Sequence, residues 1–219
     1  MIIKQVILKL QTNPPMDAHG NSLRGYIASK FSSYDILHNH RKDGGLLYIY
    51  PRILYRIVNG EGYIIGIEEG CDIVRLIELQ IETVKLDGNL NCITQKQLIS
   101  KDVRLNICES PVKYSFIKPW LALNEQNYDR YKKLVTKKNK ENFLRNILIG
   151  NLLSMSKSFG YIVENQINIT SLDLQEKETS LKGTQMLGFL GAFSVNFEIP
   201  DYWGIGKSVS RGFGTVRKL

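Results

Sequence analysis

The chain has 219 residues, 43% of them hydrophobic and 23% charged, enough apolar material for one large domain or two of roughly 100 residues each. Ordinary apolar content without low-complexity tracts excludes a disordered chain. The N-terminal MIIKQVILKLQTN lacks the continuous apolar run of a signal peptide, and no segment reaches the ~20 apolar residues of a membrane span, so a cytoplasmic protein without a membrane partner is expected. The formal charge of +8 favours a polyanionic partner.

Alternation over Ile2–Leu10 predicts a strand, ended by Asn13-Pro14-Pro15. Leu23, Ile27, Phe31 and Tyr34 predict an amphipathic helix over Leu23–Leu37. Leu46–Val58 is rich in β-branched and aromatic residues, Asn59-Gly60 is a hairpin signal, and Tyr63–Ile67 supplies the partner strand. Gly70 precedes a short helix with Ile73, Leu76, Ile77 and Ile81 on its apolar face. Strand-like sequence then runs from Glu82 to about Leu105, broken at Asp87-Gly88.

The second half follows the same order. Val103–Ser110 and Val112–Phe116 are predicted strands. A helix over Glu125–Val135 follows, with Tyr128 and Tyr131 read as core. A longer helix from about Asn139 buries Phe143, Ile147 and Met155 and ends at Gly160, a C-cap residue. Tyr161–Ile169 and Ser180–Phe197 read as strands, Pro200 opens a turn, and Gly212–Val216 leads into a last strand. The fold class is therefore α+β: tandem ferredoxin-like domains, β-α-β-β-α-β twice, with an extra helix in the second. The expected domains are residues 1–100 and 101–219.

Charge is segregated along the chain. Residues 61–90 hold seven acids against Arg75 and Lys85, whereas residues 130–145 hold seven bases against Glu141. Such a basic run is either a solvated helix face or a phosphate-contacting surface, and Lys137 and Lys138 are its candidates for the latter. Cys71, Cys92 and Cys108 form no CxxC pair, which argues against a zinc ribbon or redox motif.

The segment Gly204-Ile-Gly-Lys-Ser-Val-Ser-Arg-Gly-Phe-Gly214 has four glycines in eleven residues. Glycines let backbone amides approach a ligand, and with Lys207, Ser208 and Arg211 they could form a phosphate-binding concavity. A P-loop would need glycine at the position held by Asp201, and a dinucleotide fingerprint would need a long helix where only five residues remain.

The run Ile199-Pro-Asp-Tyr-Trp-Gly-Ile-Gly-Lys-Ser-Val-Ser-Arg-Gly-Phe-Gly-Thr-Val216 resembles the C-terminal glycine-rich signature of the RAMP superfamily of CRISPR proteins. It is most similar to the endoribonucleases that process repeat transcripts. The resemblance implies that Gly204, Gly206, Lys207, Ser208, Arg211, Gly212 and Gly214 contact RNA. It implies CRISPR repeat RNA as partner, with an effector complex and a second copy of the chain as further candidates.

All three histidines lie in the first 40 residues: His19, His38 and His40. The similar endoribonucleases carry a catalytic histidine between the first helix and the next strand, where His38 and His40 lie, often with a tyrosine and a lysine. Cleavage by an internal 2′-hydroxyl needs a base for its proton and an acid for the leaving 5′-oxygen, and imidazole serves either role near neutrality. His40 stands first, His38 second; no carboxylate or cysteine cluster accompanies them as a metal site would require. Lys30, Tyr34 and His38 would share one stripe if the helix ran on, making Lys30 a candidate for stabilising phosphorane charge. Tyr48 and Tyr50 could position the ribose; His19 is incidental. The expected activity is a metal-independent endoribonuclease without a cofactor. The rival readings are a non-catalytic RAMP subunit that grips guide RNA and a phosphate-ligand binding protein.

Overall fold

The computed structural model describes residues 1–37 and 49–219. His38, His40 and Tyr48 lie outside the described residues. The chain divides into two units, each ferredoxin-like: the first comprises residues 2–103 with 210–212, the second residues 1, 104–209 and 213–219.

The first unit runs β1 (Ile2–Asn13), α1 (Gly20–Lys30), a 3-10 turn (Asp35–Leu37), β2 (Ile53–Val58), β3 (Glu61–Ile67), α2 (Gly70–Gln80), β4 (Thr83–Leu86) and β5 (Asn89–Arg104). Its sheet order is β2-β3-β1-β5-β4. Asn59 and Gly60 have φ of 51° and 79° in the tight β2–β3 hairpin, the paired positive values a two-residue turn needs. Val6, Leu8 and Leu10 of β1 pack with Leu23 and Ile27 of α1 and Val74 and Ile77 of α2 in one core. The alternate β1 residues Ile3, Gln5 and Ile7 are buried too, so the middle of the strand is covered on both faces.

Two expectations change here. β2 begins at Ile53, and residues 49–52 are not strand. Helix α1 closes at Lys30, where the Phe31 amide donates to the Ile27 carbonyl. Ser32 and Ser33 follow, residues whose hydroxyls compete with helical bonding. Tyr34 therefore does not continue the helical stripe of Lys30.

The second unit contains β6 (Asn106–Trp120), α3 (Glu125–Lys133), α4 (Lys137–Ser158), β7 (Ile169–Leu181), β8 (Thr184–Glu198) and β9 (Val216–Lys218), in the order β7-β8-β6-β9. A 3-10 turn, Val209–Arg211, stands between β8 and β9. Counted within each repeat and leaving β4 aside, both sheets share the permutation 2-3-1-4.

The core here is aromatic. Phe116 and Trp120 stack with ring centroids 5.3 Å apart, and Phe193 and Phe189 pack against them. Leu144, Leu148, Leu152 and Met155 form the buried stripe of α4, one position along from the expected Phe143 and Ile147, which are only half-buried. Tyr131 is buried, whereas Tyr128, also expected in the core, is 40% exposed. Gly160 has φ of 74°. Its amide bonds the Lys157 carbonyl and that of Tyr161 bonds Ser156, a Schellman closure of α4.

The two strands expected around Pro111 are one strand, β6, with a register shift between Ile107 and Val112, because proline cannot donate to the ladder. The strand expected over Tyr161–Ile169 begins only at Ile169. Before it, the Asn196 side chain accepts from the Asn168 amide and donates to the Gln166 carbonyl, replacing ladder bonds. The strand expected from Ser180 is split by a turn at Lys182-Gly183 (φ 54° and 80°). Among the described residues no helix is long and apolar enough to cross a membrane.

Candidate nucleic-acid interface

The glycine-rich segment returns the chain from β8 to β9. In the second unit its two sides pair with each other: Gly204 bridges Thr215, the Ile205 amide donates to Gly214, and the Val216 amide donates to Trp203. Its outer bonds reach the end of β6, from the Gly214 amide to the Pro119 carbonyl at 2.8 Å and from Lys207 to Leu121 at 3.2 Å.

The glycines are required by packing. A Cβ on Gly206 (φ 90°) would lie 2.6 Å from Trp120 Nε1, and one on Gly204 would lie 2.7 Å from Val209 Cβ. At Gly214 (φ 61°) it would collide with the Ile205 carbonyl. The expected cradle of ligand-facing amides is thus altered: the Ile205 amide serves the loop's own backbone, and those of Lys207 and Gly214 serve carbonyls at the end of β6. Lys207 is exposed and Ser208, at φ 60°, half-buried.

Ser210–Gly212 belong to the first unit, beside the N-terminus of α1. Arg211 Nη1 donates to Asn21 Oδ1. A Cβ on Gly20 would lie 2.5 Å from the Tyr55 carbonyl and 3.1 Å from that of Arg211, and Gly212 lies over the same Gly20 backbone. Burial lowers the Arg211 pKa, and the neighbouring cation Arg24 lowers it further. Two guanidinium groups held within mutual influence are chemically suited to a phosphate, which relieves their repulsion. Arg24 also donates to the Leu37 carbonyl at 3.5 Å, one residue before His38. Beneath them burial pushes up the pKa of Tyr55, an effect Arg24 opposes, and among the described residues its hydroxyl has no hydrogen-bond partner.

Arg24 and Asn21 were not among the sequence candidates. They stand in a segment legible only through its apolar spacing, and partnership with Arg211 across 190 positions leaves no local signal. Lys30 is exposed at the end of α1, its Nζ 5.9 Å from the Tyr26 ring centre. Tyr50 is buried and interacts with the buried Arg56, whose pKa burial pushes down to about 10.

The basic run occupies α3, α4 and the turn between them. Lys137 is 85% exposed and pairs with Glu141 at 3.7 Å, an exposed pair of little energetic weight. Lys138 is exposed. Lys140 instead turns inward to Glu176 at 3.1 Å.

Comparisons with known proteins cover the whole chain. Residues 1–104 match the family model of the Cas6b N-terminal domain and residues 106–219 that of the Cas6b C-terminal domain. An uncharacterised protein of Methanocaldococcus jannaschii is 41% identical over 143 residues, 65% of this chain and 97% of that protein. A crystal structure of Cas6b is 35% identical with a TM-score of 0.92, both chains covered in full. A second, described as a CRISPR RNA processing endoribonuclease Cas6b, is 33% identical with a TM-score of 0.79, again over the full length of both chains. A type IV Cas6 crRNA endonuclease, Csf5, shares the fold at a TM-score of 0.67 and 12% identity. The two family models together account for both ferredoxin-like units, and the chain belongs to the Cas6b family.

Proposed function

We propose that this protein is a metal-independent endoribonuclease that cleaves CRISPR repeat transcripts. The observation that carries this reading is the full-length similarity, at 33% identity, to a structure described as a CRISPR RNA processing endoribonuclease. Residues 1–100 supply the catalytic histidines, and residues 101–219 supply the glycine-rich loop.

In this reading Arg211 and Arg24 hold the scissile phosphate, and Lys207 contacts flanking phosphates. One of His40 and His38 takes the proton of the 2′-hydroxyl as its oxygen attacks phosphorus. The other gives a proton to the 5′-oxygen as the P–O5′ bond breaks. The guanidinium groups stabilise the charge that grows on the phosphorane. The products are a 2′,3′-cyclic phosphate and a 5′-hydroxyl.

The test uses a labelled repeat RNA and the same RNA lacking the single 2′-hydroxyl upstream of the cut. The deoxy RNA should be a tight, uncleaved competitor, because the phosphates that dominate affinity remain. Cleavage of the intact repeat should persist in EDTA. Cleavage of the deoxy RNA at that phosphate, or strict metal dependence, would overturn the mechanism. Tight binding without cleavage of any repeat would make the protein a gripping subunit instead.

A further inference from the structure

The second unit carries a cavity of about 320 Å³ formed by the end of α3, the α3–α4 turn, the start of α4 and strand β7. Val135, Leu144, Leu172 and Leu174 give it an apolar lining, while Lys137, Lys140 and Glu176 bring charge. Tyr131 closes one side. Its hydroxyl donates to Glu176 Oε1 at 2.9 Å, Lys140 donates to the same oxygen at 3.1 Å, and the Lys140 ammonium stands 4.8 Å from the Tyr131 ring centre. Burial opposes ionisation of Glu176, but the hydrogen bonds from Tyr131 and Lys140 outweigh it and hold the carboxyl below its usual value. Among the described residues Glu176 Oε2 has no hydrogen-bond partner.

A cluster whose only work was to pin α3 and α4 onto β7 would close over its own apolar side chains. Here it does not. Val135 is 92% exposed, Leu174 is half-buried, and two lysines stand beside this open apolar surface. The volume lies at the small end of ligand pockets, about 300–1,000 Å³, which favours a single nucleotide over a duplex. Sequence-specific RNA recognition commonly takes unpaired bases out of the stack and reads their edges. An apolar floor receives a base face, lysines receive the flanking phosphates, and a carboxylate oxygen accepts from an exocyclic amine. Adenine and cytosine offer that amine at N6 and N4 and guanine at N2, whereas uracil has none.

We propose that this cavity is a subsite for one unpaired nucleotide of the bound RNA, with Glu176 selecting a base that carries an exocyclic amine. The proposal rests on the reading of the protein as a repeat-RNA binder. It places sequence discrimination on the α3–α4 and β7 surface, on residues other than those assigned to cleavage.

The test measures affinity of the full chain for repeat RNAs in which each unpaired nucleotide in turn is made abasic. One position should weaken wild-type binding about tenfold or more, as loss of a stacked base does. L174W, which fills the cavity, should bind the intact repeat correspondingly less tightly and lose nothing further at that position. E176Q, at a partly exposed position, should let uridine bind there as well as adenosine or cytidine. Repeat binding and cleavage with losses that add at every position, or an unchanged base preference in E176Q, would overturn the cavity proposal alone. A wild-type chain with no affinity for the repeat would overturn both readings.

Discussion

Gly214 and Lys207 sit in the same loop yet answer to different forces. At φ 61°, with the Ile205 carbonyl where a Cβ would go, Gly214→Ala should destabilise the protein by about 1–3 kcal/mol. Lys207→Ala should leave the melting temperature nearly unchanged, since the side chain is exposed, and should lower the salt slope of RNA binding by about one unit. Thermal melts and salt-dependent binding of both variants separate the two roles. A Gly214→Ala protein that melts like wild type but loses RNA would mean that the glycine serves the ligand. The catalytic assignment is tested likewise: replacing both His38 and His40 with alanine should slow cleavage by ~10²–10⁴, with binding within a few-fold. The glycine spacing and the histidine pair were legible as residues in the sequence. Arg24 was not, because its significance lies in being near Arg211.

At the scale of elements, helix α4 contains two glycines whose substitution should have opposite signs. Gly150 lies in the helix interior, and a Cβ there meets nothing within 4 Å, so Gly150→Ala should stabilise by about 0.5–1 kcal/mol. Gly160 meets no neighbour either, but its φ is 74°, so Gly160→Ala should cost about 1–2 kcal/mol. Denaturant unfolding of the two variants reads both signs. The end of α4 was legible because a Schellman glycine is local chemistry. Its buried stripe was misjudged by one position, because Phe143 and Leu144 are both apolar and only packing against the sheet decides which turns inward. α1 was overextended for a related reason: apolar spacing continues to Tyr34, whereas the backbone stops at Lys30.

For the whole molecule, charge segregation makes a prediction that no single contact makes. If Lys137 and Lys138 each meet a phosphate, alanine at both should reduce the salt slope of binding by about two units. Stability should hardly change, because the Lys137–Glu141 pair is exposed. Equilibrium binding from low to moderate salt checks it, and an unchanged slope would show RNA to run elsewhere. The sequence by itself determined the α+β class, the duplicated strand order, the hairpin at Asn59-Gly60 and the RAMP resemblance. Each is written in periodicity, turn chemistry or a contiguous motif, all of them short-range along the chain. Only the tertiary structure decided that the loop's glycines serve packing against Trp120 and Ile205, that Arg211 meets Asn21 and comes under the charge of Arg24, and that Tyr131, Lys140 and Glu176 border one cavity. Those groups lie from several to nearly two hundred residues apart, and only folding, which buries the apolar faces between them, brings them together.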